Sequence, residues 1–286
     1  MENLTDNSTI NQNGTGERFD IDAVVWMYLP TVVTVPLAVP ANALVIRLLM
    51  GKPGICSTSE IFILNLALFD MLFCFMNLVE YFLFLGNRTM EAANFQAWGL
   101  NQAGGPMLLC LLSLDSYVAV CHPLVFLRLK DPKLRLSLCF AVSVITAVCC
   151  LMVKVAFKYT MYLIIVVLSG AIVTISTCNI LILKSLCQSG PGRKEVHPVK
   201  KRAFKTVLTM LVLVNVHYLP PLCEFLAKEF GPSQFRPFSF LTCLTYTALS
   251  MSSFVQPLCY LVRTNQLPKM RCDRGSAAQA KTVATV

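Results

Sequence analysis

Two acidic residues inside long apolar stretches are the side chains of this sequence most suited to chemistry. Asp70 is the tenth residue of the stretch that begins at Ile61. Asp115 is the only acid between Trp98 and Val120. Because a carboxylate at membrane depth is costly, such a residue usually binds an ion, passes a proton or fixes one arrangement of a helix bundle. Asp115 is therefore expected at a membrane edge, where water or a basic partner reaches it.

Enzymatic chemistry has no support in the remaining residues. The three histidines, His122, His197 and His217, form no Ser/His/Asp, Cys/His or metal-ligand arrangement. Nearly all of the 13 cysteines lie inside apolar runs, where a free cysteine behaves as a small hydrophobe. We therefore expect neither an enzyme nor a metal-binding cysteine cluster.

The elements that must hold the two acids are seven apolar runs. With 56% apolar and 14% charged residues among 286, the chain is too apolar for an ordinary soluble domain. Each run is near the ~20 residues that cross a bilayer core, and backbone groups in hydrocarbon must be satisfied within the segment, which predicts helices. The runs are Ala23–Met50, Ile61–Leu85, Trp98–Val120, Leu136–Val153, Tyr159–Leu183, Val207–Leu226 and Phe238–Val262. The predicted fold is an all-α membrane protein, a seven-transmembrane-helix bundle.

Charge and glycosylation signals predict the orientation of these spans. Of the 24 lysines and arginines, 18 fall on the side of the carboxyl terminus, which is the cytoplasmic side by the positive-inside rule. The opposite side carries four N-glycosylation sequons, at Asn3, Asn7, Asn13 and Asn87. We expect an extracellular glycosylated tail over residues 1–22, the bundle over 23–262 and a cytoplasmic tail over 263–286, in the plasma membrane. The net charge of +9 is explained by these loops, so the expected partner is the lipid bilayer and not nucleic acid.

Five short motifs occur in a fixed order along the spans. They are Pro40-Ala41-Asn42-Ala43-Leu44-Val45, Leu66-Ala67-Leu68-Phe69-Asp70, Asp115-Ser116-Tyr117, Tyr218-Leu219-Pro220 and Gln256-Pro257-Leu258-Cys259-Tyr260. Together they resemble the signatures of the rhodopsin-like G-protein-coupled receptors, and the resemblance covers roughly residues 23–262. It implies a receptor that transmits the signal of an unknown extracellular ligand to a heterotrimeric G protein.

The resemblance also implies roles for particular residues. Asn42, Asp70, Ser252 and Ser253 match the family's polar core, where the acid binds a sodium ion. Asp115, Ser116 and Tyr117 match the inner end of the third helix, which contacts the G protein. Bending and repacking on activation are implied for the remaining matched positions, Tyr218, Pro220, Gln256, Pro257 and Tyr260.

The sequence also departs from the family pattern, at or near the positions that match it. Ser116 stands where the family has an arginine, and a hydroxyl cannot make the arginine's ionic contacts with the neighbouring acid and the G protein. Gly105 replaces a frequent serine near the sodium site, and Glu91 stands at about the position of a disulfide cysteine. Two other classes therefore stay open: a receptor-like protein that binds a ligand or partner without signalling, and a small transporter. If the chain couples, Ser116→Arg is expected to raise its basal activity.

The outer halves of the spans carry the candidates for a ligand pocket. They are Glu80, Tyr81, Trp98, Asn101, Gln102, His217, Glu224, Thr242 and Tyr246. Trp98 and Tyr81 are equally well explained as aromatic residues of the membrane interface. His217 is more often a packed, hydrogen-bonded residue than a ligand contact.

Overall fold

The computed structural model describes residues 13–55, 59–87, 96–129, 131–187, 198–230 and 240–264, and within these residues the chain is helical without strands. Every predicted run is helical wherever the structure describes it; Phe238 and Ser239, the first two residues of the seventh run, lie outside the described residues. Spans 1, 2, 4, 5, 6 and 7 are the helices Asn13–Met50, Glu60–Asn87, Pro132–Val155, Phe157–Cys187, Pro198–Phe230 and Phe240–Thr264. Span 3 consists of Gln96–Gly99, a π-helical turn over Leu100–Gly104 and Gly105–Cys121.

The seven spans form one bundle, as predicted. The first six are long and apolar enough to cross a membrane, judged by length and composition of the described residues. Span 1 packs on spans 2 and 7, span 3 on spans 2, 4 and 5, and span 6 on spans 5 and 7. Large apolar side chains such as Phe75 and Phe140 point away from the bundle, which suits a helix surrounded by lipid.

The helices extend beyond the apolar runs. Span 1 begins at Asn13, inside the stretch that the sequence assigns to the tail, and only Ala156 separates span 4 from span 5. The calls at Asn3 and Asn7, and the tail beyond Thr264, lie outside the described residues, as do the side chains of Asn13 and Asn87. Helices continue past the membrane edge because intrahelical hydrogen bonds form in water as well as in lipid.

Span 4 has a well-defined start. Asp131 is its N-cap, and its carboxylate accepts a hydrogen bond from the backbone N–H of Lys133 at 3.0 Å. Pro132 occupies the first turn, where its missing N–H costs nothing. This start fixes the helical position of every residue in the next turn, including Arg135.

The π turn in span 3 was not predicted, and Pro106 offers its reason. A proline lacks the N–H that would donate to the carbonyl of Gln102 four residues earlier. In the turn before it, the Gly105 N–H donates instead to Leu100, five residues back. Span 3 also lies very close to span 4, since a Cβ at Gly99 would stand 2.8 Å from the sulfur of Cys150.

The end of span 3 that the charge count predicts to be cytoplasmic, here called its inner end, is followed by a short helix, Pro123–Arg128, between spans 3 and 4 in the chain. The backbone N–H of His122 still donates to Val118 at 2.9 Å, so span 3 completes its last turn before the chain bends. We call this segment the inner helix.

Candidate functional site

The inner end of span 3 is organised around Asp115. Its Oδ1 accepts a hydrogen bond from the guanidinium of Arg135 at 2.8 Å, which makes an ion pair between spans 3 and 4. Its Oδ2 accepts a hydrogen bond from the hydroxyl of Ser59, just before span 2. Of the two partners that the sequence allowed for Asp115, water or a basic residue, the structure shows a basic one, Arg135.

Arg135 is buried to a degree unusual for an arginine, with 2% of its side chain exposed. It sits one turn after the Asp131 cap, so the start of span 4 aims it back at span 3. Its guanidinium carbon also lies 5.5 Å from the ring centre of Phe126, within the range of a cation–π contact. One side chain thus joins span 3, span 4 and the inner helix.

Ser116 and Tyr117, the neighbours of Asp115, face other partners. The hydroxyl of Ser116 donates to the carbonyl of Leu112 in its own helix at 2.7 Å. The hydroxyl of Tyr117 lies 3.2 Å from Nε2 of His122 on the exposed inner surface. Neither side chain contacts Asp115 in the contacts that the structure describes, although the three are consecutive.

A second inner contact involves Tyr260 of span 7. Its hydroxyl donates to Glu60 at 3.0 Å, and the same carboxylate pairs with Lys52 at 2.7 Å. The hydrogen bond to Glu60, with smaller contributions from the charges nearby, raises the pKa of Lys52 above its ordinary value. Because Ser59 and Glu60 are consecutive, the start of span 2 holds both the acid of span 3 and the tyrosine of span 7.

Asp70 lies in the middle of the bundle with only 6% of its surface exposed. The side chain of Ser253 lies next to its carboxyl, but one carboxyl oxygen has no hydrogen-bond partner among the described residues. Nearby, the amide of Asn42 donates to the carbonyls of Ala38 at 3.0 Å and Ser253 at 2.9 Å, which ties span 1 to span 7. We call Asn42, Asp70, Asn101, Ser252 and Ser253 the polar core.

Span 3 joins the polar core through Asn101. Its amide donates to the carbonyl of Leu249 at 2.9 Å, and its oxygen accepts from Ser252 at 3.4 Å. This contact links the π turn of span 3 to span 7. Asn101, which the sequence placed among the ligand candidates, therefore has partners inside the bundle.

Tyr218 of span 6 lies beside Gly105 of span 3, next to the polar core. A Cβ at Gly105 would stand 3.0 Å from the Tyr218 hydroxyl, so any larger residue there would collide with it. The amide nitrogen of Gln256 donates to the same hydroxyl at 3.3 Å, which links spans 6 and 7. Gly105 and Tyr218 therefore fit each other sterically.

Two adjoining cavities open between the spans on the inner side. One, of about 520 Å³, reaches from Asn42 and Asp70 to Gln256 and Tyr260 and is otherwise mostly apolar. The other, of about 550 Å³, is bordered by Ser59, Ser116, Asn179, Val207 and Tyr260 among others, and thus by spans 2, 3, 5, 6 and 7.

Comparison with known families matches residues 41–158 to the family described as 7 transmembrane receptor (rhodopsin family). This match supports membership of the rhodopsin-like receptor family.

The matched segment of the receptor runs from the end of span 1 to the start of span 5. It contains Asn42, Asp70 and Asp115 at the matched motifs. Curated protein sequences give no match to the receptor. The family is one of receptors and not of enzymes, and in the part of the chain that the structure describes no group of three or more His, Cys, Asp or Glu side chains could hold a metal ion.

In the outer half of the receptor, the structure divides the ligand candidates into two groups. Glu80 accepts a hydrogen bond from the backbone N–H of Ala97 at 3.0 Å, and Nδ1 of His217 lies 2.7 Å from the carbonyl of Leu213 in its own helix. Both contacts support structural roles. Gln102 is fully buried, and its amide has no partner among the described residues.

The remaining outer candidates lie on spans 2, 3, 6 and 7. Glu224 and Tyr246 are buried on spans 6 and 7, and Tyr81 is half-buried on span 2. The side chains of Trp98 and Thr242 lie outside the described residues. The outer pocket therefore stays a prediction.

Sequence reasoning missed Arg135, Ser59, Glu60 and Phe126 as parts of the inner site. Arg135 was counted only as a basic residue of an inner loop. A usable signal is present: Asp131-Pro132 is an N-cap followed by a first-turn proline, which starts the helix early and puts Arg135 inside it. No comparable signal identifies Phe126 as its neighbour, since that contact depends on how the inner helix folds back.

Proposed function

We propose that the receptor transmits the signal of an extracellular ligand to a heterotrimeric G protein, with a modified switch at Asp115, Ser116 and Tyr117. The observation that carries this proposal is the inner cavity of about 550 Å³. Its walls include Ser116 and Tyr260, at two of the matched motifs, together with residues of spans 5 and 6. A cavity bounded by spans 2, 3, 5, 6 and 7 on the basic side of the membrane suits a partner that inserts from the cytoplasm.

The route from the outside to this cavity passes through Tyr218 and Gln256. Their hydrogen bond joins spans 6 and 7 two residues before Pro220 and one residue before Pro257. Prolines inside helices free a carbonyl and favour bending. A ligand that shifts span 6 would break or strengthen this contact and thereby shift the balance between two inner arrangements. Gln102, with its unpartnered amide, is the outer residue best placed to sense such a ligand.

A sodium ion in the polar core is part of this proposal. Hard cations take oxygen ligands, and the structure offers the unpartnered buried oxygens of Asp70 and Asn42, with Ser252 and Ser253 nearby. These residues fit the ion, whereas Gly105 supplies no oxygen. Bound there, the ion would supply positive charge beside Asp70, and the chain's own contribution is to hold spans 1, 2 and 7 together around it.

Plasma-membrane placement with an outer amino terminus rests on the sequons and on the charge count. Enzymatic removal of N-linked sugars should increase the electrophoretic mobility of the protein from cells. Changing Asn3, Asn7, Asn13 and Asn87 together to Gln should abolish that change. A quadruple variant that still responds, or a wild type that never does, contradicts this orientation.

A second candidate function is ligand or partner binding without signalling. It is favoured by Ser116, whose hydroxyl is bonded to Leu112 in its own helix and offers nothing to a G protein. A transporter is less well supported, because the sequence shows no inverted repeats or paired broken helices.

The experiment that separates these functions measures G-protein dissociation in cells without added ligand. Wild type is compared with mock-transfected cells and with Ala119→Trp, which fills the inner cavity. Val148→Trp, on the exposed face of span 4, is the matched control. We expect a basal signal in wild type and in Val148→Trp but not in Ala119→Trp, at equal surface expression. A wild type at the level of mock-transfected cells for every G-protein class favours the non-signalling function.

A further inference from the structure

We propose that Arg135 of span 4 is the counter-ion of Asp115 in place of the arginine absent at position 116, and that this pair holds the inner face in its resting arrangement. The consequence for signalling rests on the proposed function. The structural part, that Arg135 positions span 3 against span 4 and the inner helix, does not.

The first support is that both carboxylate oxygens of Asp115 are engaged from outside span 3. Arg135 takes Oδ1 at 2.8 Å and Ser59 takes Oδ2. An acid with both oxygens occupied is fixed in position and orientation. In a receptor that used an arginine next to the acid, the contact would stay within one helix and would bind no second span.

The second support is the cost of burying Arg135. Removing an arginine from water is expensive unless charge and geometry compensate it, and one with 2% of its side chain exposed needs such compensation. Asp115 supplies the charge, and the ring of Phe126 supplies a face for the guanidinium at 5.5 Å. Lys133, two residues earlier on the opposite side of the same helix, is exposed.

The third support is that the pair belongs to a set of contacts that also holds two walls of the inner cavity, spans 3 and 7. Arg135 binds span 3 to span 4 and to the inner helix. Ser59 binds Asp115 and thereby ties span 3 to the start of span 2. The next residue, Glu60, holds Tyr260 of span 7 at 3.0 Å. A shift of the start of span 2 therefore loosens span 3 and span 7 together.

This geometry changes what Ser116→Arg should do. The sequence alone predicts a gain of basal activity, on the view that Asp115 and Tyr117 already supply the usual neighbours of such an arginine. Because Arg135 already pairs with Asp115, Ser116→Arg alone is now expected to leave basal activity near the wild-type level. In an Arg135→Gln background, the new arginine becomes the only one beside Asp115 and should restore the resting state.

The test uses the full chain in cells and in detergent micelles. The variants are Arg135→Gln, Asp115→Asn, Arg135→Gln with Ser116→Arg, Asp115→Asn with Ser116→Arg, and the control Arg128→Gln, which changes an exposed arginine of the inner helix. Arg135→Lys keeps the charge without the planar fork and serves if Arg135→Gln reaches the surface poorly. All are compared at matched surface expression without ligand.

Two measurements are made on each variant. The first is basal G-protein dissociation, which we expect Arg135→Gln and Asp115→Asn to raise by about fivefold or more, the lower end of ordinary conformational coupling. Ser116→Arg should reverse the rise in the Arg135→Gln background and not in the Asp115→Asn background. The second is hydrogen exchange of the segment Pro123–Arg128, which should become faster in Arg135→Gln and stay unchanged in Arg128→Gln.

Each outcome of these measurements either supports or contradicts the proposal. Faster exchange with raised basal signal and selective rescue supports the proposal in full. Faster exchange with no signal in any variant, including wild type, supports the positioning role of Arg135 and contradicts the proposed G-protein function. Exchange and signal in Arg135→Gln that match those of Arg128→Gln overturn the proposal, as does rescue by Ser116→Arg in the absence of Asp115.

Discussion

Two acids of the bundle, Asp115 and Asp70, have different kinds of partner. Asp115, at the inner end of span 3, has an arginine on one oxygen and a hydroxyl on the other. Asp70, in the middle of the bundle, has amide and hydroxyl side chains around it, and in the described part of the receptor it forms no ion pair. The difference shows that position along the membrane normal decides which partners an acid receives.

The physical reason is the cost of the partner. A basic residue near the membrane edge starts from water and loses part of its hydration, whereas one at mid-depth would lose nearly all of it. Pairing with a basic side chain is therefore favourable at Asp115 and unfavourable at Asp70. The polar core uses amides instead: Asn42 of span 1 and Asn101 of span 3 each donate to a backbone carbonyl of span 7.

The largest expected effect is a difference in the free energy of unfolding between variants of Asp115 and of Asp70. Asp115→Asn leaves Arg135 buried without its charge partner and should lower the free energy of unfolding by about 3 kcal/mol or more. Asp70→Asn removes a buried charge at nearly constant shape and should leave stability unchanged or raise it. Thermal unfolding in the same detergent measures both. Equal losses in the two variants would mean that Asp70 is also paired in the folded receptor.

The next effect concerns the amides of the polar core. Asn42→Ala removes the bond that joins span 1 to span 7 and should cost about 1–3 kcal/mol, because it also leaves a buried carbonyl unsatisfied. Asn65→Ala is the matched control, since its amide bonds only Ile61 in its own helix. A loss in the control as large as in Asn42→Ala would show that the contact between the spans contributes nothing of its own.

A smaller effect is expected at Tyr260. Tyr260→Phe removes the hydrogen bond to Glu60 and should cost roughly 0.5–1.5 kcal/mol. Tyr117→Phe, at a half-buried tyrosine whose hydroxyl contacts the exposed His122, should change the melting temperature less. If the order of the two variants is reversed, span 7 is not held by the start of span 2.

The smallest effect is expected for the Lys52–Glu60 pair, which is partly exposed. Lys52→Met should cost less than about 1 kcal/mol, as for other exposed pairs. Its hydrogen bond to Glu60 raises the pKa of Lys52 above 10.5, so the stabilisation is present below that pH and is lost only as the pH rises through the raised pKa. The difference between wild type and variant should therefore stay constant from neutral pH to about pH 9. A difference that disappears within this range contradicts the assignment.

Much of the fold was predictable because lipid imposes one rule on every span. Apolar runs of bilayer length must be helical, and seven such runs with one charge bias give the bundle. Asp115 was also predictable as an acid that either water or a basic residue reaches, since a carboxylate near the end of such a run is costly without one of them. The π turn over Leu100–Gly104 was not, because its cause at Pro106 permits either a kink or a change of winding.

The sequence by itself determined the class of protein, the seven spans, the two acids and the absence of an arginine at position 116. Only the tertiary structure decided that Arg135 pairs with Asp115, that Ser59 and Glu60 hold spans 3 and 7 together, and that Tyr218 occupies the space beside Gly105. The spans are set by local composition, which the chain carries residue by residue. Partners across spans depend on the rotation and depth of each helix against its neighbours, and these are fixed only when all seven pack together.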